Sequence, residues 1–142
     1  MSAVRLLAVT AENTPGQTAY VTQILANANL NIRWATIASA GDRSIMKFLV
    51  PDCDLAYEAF KHEGLAASLI EVLAVEVPDQ PGALQAVAGC LARNSISFDA
   101  ISVFVADHRA ILLIESQELS QAKVIIEKHG VRVLTPQEML KL

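Results

Sequence analysis

The side chains best suited to nucleophilic, acid–base or metal chemistry in this sequence are two cysteines, Cys53 and Cys90, and three histidines, His62, His108 and His129. A metal centre needs several His, Cys or acidic ligands at set spacing, and these residues are scattered through the chain. His62 and His129 fall near expected helix ends, where an imidazolium complements the negative end of the dipole. Cys90 lies on an apolar helix face, which makes it a core residue; Cys53 is less constrained. No Gly-x-Ser-x-Gly elbow, phosphate-binding Gly-x-x-x-x-Gly-Lys loop or dinucleotide fingerprint occurs. Asp107-His108-Arg109 joins three catalytic residue types, but at an expected hairpin tip whose counterpart is Gly41-Asp42-Arg43, which reads as a solvated turn. These residues predict no enzyme, no catalytic or metal-binding residues and no cofactor.

A different chemistry recurs. Asn13-Thr14-Pro15-Gly16 and Asp79-Gln80-Pro81-Gly82 each follow an apolar run and precede a helical pattern. Proline sets the backbone near a helix start, and glycine lets another backbone or a ligand approach. Unpaired N–H groups at a helix N-terminus favour a carboxylate through hydrogen bonding and the helix dipole. An amino acid carries such a carboxylate, and Asp79, Asn13 or backbone carbonyls can accept from its ammonium. Asn13 and Asp79 can equally be helix caps, the commoner use of such residues, and the loop pattern leaves both uses open.

The elements that position these loops come from an internal repeat. Pro15-Gly16 and Pro81-Gly82 lie 66 residues apart, and that shift also matches Val21 with Val87, Leu25-Ala26 with Leu91-Ala92, Ile32 with Phe98, Arg43 with Arg109, Ile45 with Ile111 and Gly64 with Gly130, without a gap. Duplication follows, with domains expected at residues 1–70 and 71–142. Leu6 to Val9 and Val72 to Val75 are strand-length apolar runs. Val21, Ile24, Leu25 and Ala28, and again Leu84, Val87, Ala88 and Leu91, fall at helical spacing. Second strands are expected over Ile32 to Ser39 and Ile96 to Val105, returning through hairpins as Ser44 to Val50 and Ala110 to Glu115. Second helices are expected to start at Asp54 and Ser120 and to end at Gly64 and Gly130. Final strands are expected near Ala66 to Ile70 and Val131 to Leu134. Each repeat is therefore βαββαβ.

The run Ile111-Leu112-Leu113-Ile114 is apolar at every position, so both faces of its strand should be buried. A unit of this size buries only about 60% of the surface its unfolded chain exposes, which favours packing of the copies and dimerisation. Trp34 and Tyr20 read as core aromatics or interface anchors.

Hydrophobic residues make up 53% of the 142 and charged residues 18%, the balance of a compact fold. The apolar runs are too short for a membrane helix, and residues 1–5 lack the pattern of an export signal. Two thiols in such a chain are expected to be reduced, in a cytoplasmic protein. A net charge of -4 without a basic stripe argues against nucleic acid as a partner.

Asp79-Gln80-Pro81-Gly82-Ala83-Leu84, after Val75-Glu76-Val77-Pro78 and before Val87, Leu91, Asn94 and Ile96, resembles the ACT domain. Glu12 to Thr18, Leu25 and Asn29-Leu30-Asn31-Ile32 repeat the resemblance in the first copy, so it covers nearly the whole chain. It implies an α+β fold of two ferredoxin-like βαββαβ units in tandem. It also implies regulatory binding of an amino acid or other small effector, often where two ACT domains meet. The contacts it implies are Asn13, Thr14, Pro15, Gly16 and Gln17; Asp79, Gln80, Pro81, Gly82 and Ala83; and the second-strand starts Asn31-Ile32 and Ser97-Phe98. The first copy departs from the second at Thr18, where the second has Leu84. A free-standing tandem protein is expected, acting as an effector-binding homodimer. The alternative is an interaction subunit that associates with a metabolic enzyme without binding ligand itself.

Overall fold

The computed structural model describes residues 3–142, which divide into two compact units. One comprises Arg5–Ile70; the other comprises Glu71–Leu142 with Ala3 and Val4. No helix among the described residues is long and apolar enough to cross a membrane.

In the first unit, β1 (Val4–Glu12), α1 (Gln17–Asn27), β2 (Trp34–Ala40), β3 (Arg43–Leu49) and α2 (Cys53–His62) lead into β4 (Ala66–Pro78). The sheet order is β2-β3-β1-β4, with antiparallel pairing that sets Ala40 and Glu12 beside Arg43, and Ala35 and Leu7 beside Phe48. Alternation then sends Leu7, Val9, Ala11, Met46 and Phe48 to one face, where they meet Val21, Ile24 and Leu25 of α1 and Ala56 and Phe60 of α2. Phe48 and Phe60 are fully buried, with ring centroids 6.3 Å apart.

The second unit repeats this plan with the later part of β4, then α3 (Ala83–Arg93), β5 (Ala100–Ala106), β6 (Arg109–Glu115), α4 (Leu119–Lys128) and β7 (Arg132–Val133). The sheet order is β5-β6-β4-β7. Leu73, Val75 and Val77 join Leu112 and Ile114 beneath Val87, Leu91, Ala122 and Ile126. Ile111 and Leu113 take the alternate face and are also buried, so β6 is covered on both sides as its unbroken apolar run predicts.

Several boundaries depart from expectation. β2 and β5 begin at Trp34 and Ala100 rather than Ile32 and Ile96. Helices α1 and α3 end on Asn29 and Ser95 at positive φ, with Leu30 and Ile96 donating back to Leu25 and Leu91. Ile32 and Ile96 then enter the cores from loops, so their hydrophobicity reflects burial and not strand pairing.

The N-cap of α2 is Asp52, whose carboxylate accepts from the Leu55 amide at 3.0 Å; Asp54 sits inside the first turn. The N-cap of α4 is Glu118, not Ser120. The two strands expected around residue 70 are one continuous β4, while the last strand shrinks to Arg132–Val133.

A short helix, α5 (Pro136–Leu140), follows, closed by a reciprocal Thr135–Glu138 capping box. The Thr-Pro-Gln-Glu start carries that signal in sequence. Leu134 and Met139 of this segment are buried.

Candidate functional site

The two Pro-Gly loops have the same construction. Gln17 N–H donates to Thr14 O at 3.2 Å, and Ala83 N–H donates to Gln80 O at 3.3 Å, each closing a four-residue turn. Pro15 and Pro81 occupy its second position. Gly16 (φ 83°, ψ -7°) and Gly82 (φ 87°, ψ -6°) occupy the third, in the left-handed conformation a type II turn demands. Each glycine is also the helix N-cap, and no side chain caps either helix. Capping by Asn13 and Asp79, one of the two uses the pattern allowed, is therefore not what the structure adopts. The turn engages the first helical amide, and the next two, from Thr18 and Ala19 or Leu84 and Gln85, lie at the positive end of the dipole.

Asn13 is tied instead to the β2–β3 hairpin. Its backbone N–H donates to Asp42 O at 2.8 Å and its Nδ2 donates to Gly41 O at 3.2 Å. An ionised Asp79 has no N–H to donate from its side chain and cannot reproduce the second bond. The Asn13/Asp79 difference thus converts a hairpin tether in one copy into an exposed carboxylate in the other.

The remaining candidate residues stand at the far end of each sheet. Arg33 N–H donates to Leu49 O at 2.8 Å, placing Asn31 and Ile32 at the end opposite Gly41. Ser97 N–H donates to the Glu118 carboxylate at 3.3 Å, and the Ser97 carbonyl accepts from Ser116 Oγ at 2.7 Å. Phe98 is exposed beside them. A seven-residue strand spans roughly 23 Å, so within one unit the loop and the second-strand start do not meet around one small molecule.

The solvated-turn reading of Asp107-His108-Arg109 holds for its first two residues, which turn the chain at φ 53° and 63°. Arg109 departs from it. Its Nη1 donates to Glu76 Oε1 at 2.6 Å on a half-buried pair, and Arg132 stands 3.6 Å from the same oxygen while also pairing with Glu138. The signal was the acidic interruption of the apolar run at Glu76. The first copy has Thr10 there, so the cluster belongs to the second unit.

Tyr20 is exposed and donates to Glu63 Oε2 at 3.2 Å, while Trp34 is half-buried. Partial burial and the Glu63 carboxylate both push the Tyr20 phenol upward. Cys53 and Cys90 are both buried free thiols. Cys90 Sγ lies 3.3 Å from His129 Nδ1, which also lies 2.9 Å from Ile125 O. Burial raises the Cys53 pKa, against the lowering effect of Arg5. Arg5 also grips Asp54 with two hydrogen bonds of 3.1 Å, and this holds the Asp54 carboxyl below the usual range. Among the described residues, no group of three or more His, Cys, Asp or Glu is placed to hold a metal ion.

Comparison with known proteins fits this geometry. A protein of known structure from Bacteroides thetaiotaomicron, BT0572, is 27% identical with a TM-score of 0.92, over 99% of this chain and 97% of its own. The ligand-free regulatory subunit of aspartate kinase from Thermus thermophilus is 19% identical with a TM-score of 0.62, over 87% of this chain and 90% of its own, a likeness of fold. The search of curated proteins returns no match. The family model described as an ACT domain pair matches residues 2–142. The chain belongs to the family of paired ACT domains, with two ferredoxin-like α+β units in tandem.

Proposed function

We propose that this protein binds a small effector, an amino acid, and regulates metabolism through that binding without catalysing a reaction. The observation that carries this reading is the pair of type II Pro-Gly turns, each delivering a helix N-terminus that no side chain caps. The helix amides and dipole suit a carboxylate, and the Asp79 carboxylate suits an ammonium. Asn13 to Gln17 and Asp79 to Ala83 form the near wall of each site. Asn31-Ile32 and Ser97-Phe98 lie a strand length away, so they complete a site only when a second ACT unit is laid antiparallel along the edge. Domain limits at residues 1–70 and 71–142, a homodimer and a cytoplasmic location belong to the same reading. The unpaired thiols support the location.

Thermal-shift and calorimetric titration against the amino acids tests it. An effector at a hundredfold excess over its Kd stabilises the fold by about 2.7 kcal/mol, and Asp79→Ala removes that response. Absence of a response to every amino acid overturns the reading. Association with a metabolic enzyme is the second reading, favoured by the exposed apolar side chains Leu84, Phe98, Val103 and Val105. Co-purification of a stoichiometric enzyme complex, without any ligand response, selects it.

A further inference from the structure

The two hairpins are anchored at different points. In the first unit the tip itself is held, because Asn13 donates to Asp42 O and Gly41 O. In the second unit no hydrogen bond joins Asp79 to the tip among the described residues. The turns differ as well. Gly41 alone has positive φ in the first, the pattern of a type II′ turn, whereas Asp107 and His108 both do in the second, a type I′ turn without its favoured glycine. The second hairpin is fastened at its base. Arg109 stands opposite Pro78, the residue before Asp79, and its guanidinium binds Glu76.

Glu76 has a second cation within reach. Arg132 lies opposite it in the β4–β7 pairing, and Arg132 Nη1 is 3.6 Å from Oε1, the oxygen that Arg109 Nη1 approaches to 2.6 Å. Arg132 Nη2 also pairs with Glu138 Oε2. The other oxygen of Glu138 accepts from the Thr135 N–H at 3.0 Å, closing the capping box that starts α5. Two cations therefore compete for one oxygen of Glu76, and two acids share Arg132. The Glu76 side chain is only 20% exposed, so water screens its charge less than at the open surface.

The first unit has no such arrangement. The counterparts of Glu76, Arg109, Arg132 and Glu138, 66 residues earlier, are Thr10, Arg43, Ala66 and Val72, and no helix like α5 follows its last strand segment.

We propose that Glu76 is the hub of an ionic relay through which the base of the β5–β6 hairpin controls the C-terminal helix α5. With Arg109 on Glu76, Arg132 is left to Glu138, and the capping box is fastened. When Arg109 is withdrawn, the Glu76 carboxylate loses its nearer cation and draws Arg132 toward itself. Glu138 then loses the charge that holds it beside the Thr135 amide, and α5 loosens. Leu134 and Met139, buried in the fastened state, become accessible. The shared guanidinium is thus the element with two arrangements that such coupling requires. Because Arg109 is opposite the residue before Asp79, the relay gives the effector loop of the proposed function an output at the C-terminus.

The relay rests on that reading only for its trigger. Its test uses the ligand-free chain, so it can fail while effector binding stands, and the reverse. The readout is amide exchange at Met139, whose N–H donates to Thr135 O at 3.1 Å, relative to amides in the middle of α3, which report opening of the whole unit. Arg109→Met should raise this ratio about threefold or more. Glu76→Gln should leave it unchanged or lower it, because Arg132 then has Glu138 as its sole carboxylate partner in the cluster. The double variant Glu76→Gln with Arg109→Met should behave as Glu76→Gln alone. A cluster that acts only as structural glue gives the opposite pattern, with α5 loosened by both single changes and at least as much by the two together. That pattern, or an unchanged ratio in Arg109→Met, overturns the proposal. Arg109→Gln makes the same change of charge with a side chain that still hydrogen-bonds, and decides the matter if Arg109→Met does not fold.

Discussion

Two glycines of the same region should respond to alanine with opposite signs. Gly82 stands at φ 87°, and a Cβ added there meets nothing within 4 Å. The penalty is therefore one of backbone conformation alone, about 1–2 kcal/mol for an L-residue held in the left-handed region. Gly89 lies inside α3, where alanine replaces the least favourable ordinary helix residue and should stabilise by about 0.5–1 kcal/mol. Its new Cβ would meet Arg93 Nη1 at 3.1 Å and Gln85 Nε2 at 3.5 Å, both ends of flexible side chains that can move aside. Gly82→Ala and Gly89→Ala should thus differ by roughly 1.5–3 kcal/mol. Urea unfolding of both variants measures this, provided the slope with denaturant matches the wild type. Gly82→Asn should recover part of the loss, because asparagine tolerates this conformation better than alanine. A neutral Gly82→Ala, or two variants shifted in the same direction, would refute the turn geometry on which the effector site rests. The same strain makes Gly82→Val a poor probe of ligand approach, since the fold is penalised before any ligand arrives.

Phe48→Ala, at a fully buried ring packed near Phe60, should cost about 3–5 kcal/mol in chemical denaturation, while Phe98→Ala at an exposed ring should stay within about 0.5 kcal/mol. Asp54, with its pKa lowered chiefly by the Arg5 hydrogen bonds, contributes stability above its unfolded pKa that is lost as pH falls through the folded value. An NMR titration should show Asp54 returning toward the ordinary carboxyl range in Arg5→Ala; an unmoved midpoint would contradict the pairing. Cys53, raised mainly by burial, contributes stability that is complete below its unfolded pKa and declines as pH rises through the folded value. Unfolding measurements from about pH 7 to about pH 10 should show an alkaline decline that Cys53→Ala reduces, and thiol reagents should label Cys53 slowly in the native state.

The sequence by itself determined the elements whose cause is local or periodic. The 66-residue repeat, the helix faces of Val21, Ile24 and Leu25 and of Val87 and Leu91, and the two-sided burial of β6 were all legible, because side-chain period and run length are properties of adjacent residues. The Pro-Gly turns were legible as loops for the same reason. Exposed Leu84 shows where that reasoning stops: its spacing fits the buried face, but only the position of α3 over the sheet decides that it lies on the flank.

Strand starts failed similarly, since Ile32 and Ile96 are as apolar as strand residues and enter the cores from loops. Tertiary structure also decided that Asn13 binds the hairpin rather than its helix, that Glu76 gathers Arg109 and Arg132, and that the loop and strand-start candidates occupy opposite ends of each sheet. Those relations join residues about 14 to 56 positions apart in the chain. They depend on which strands pair and in what register, and the hydrophobic pattern specifies which face a residue takes without naming the partner across from it.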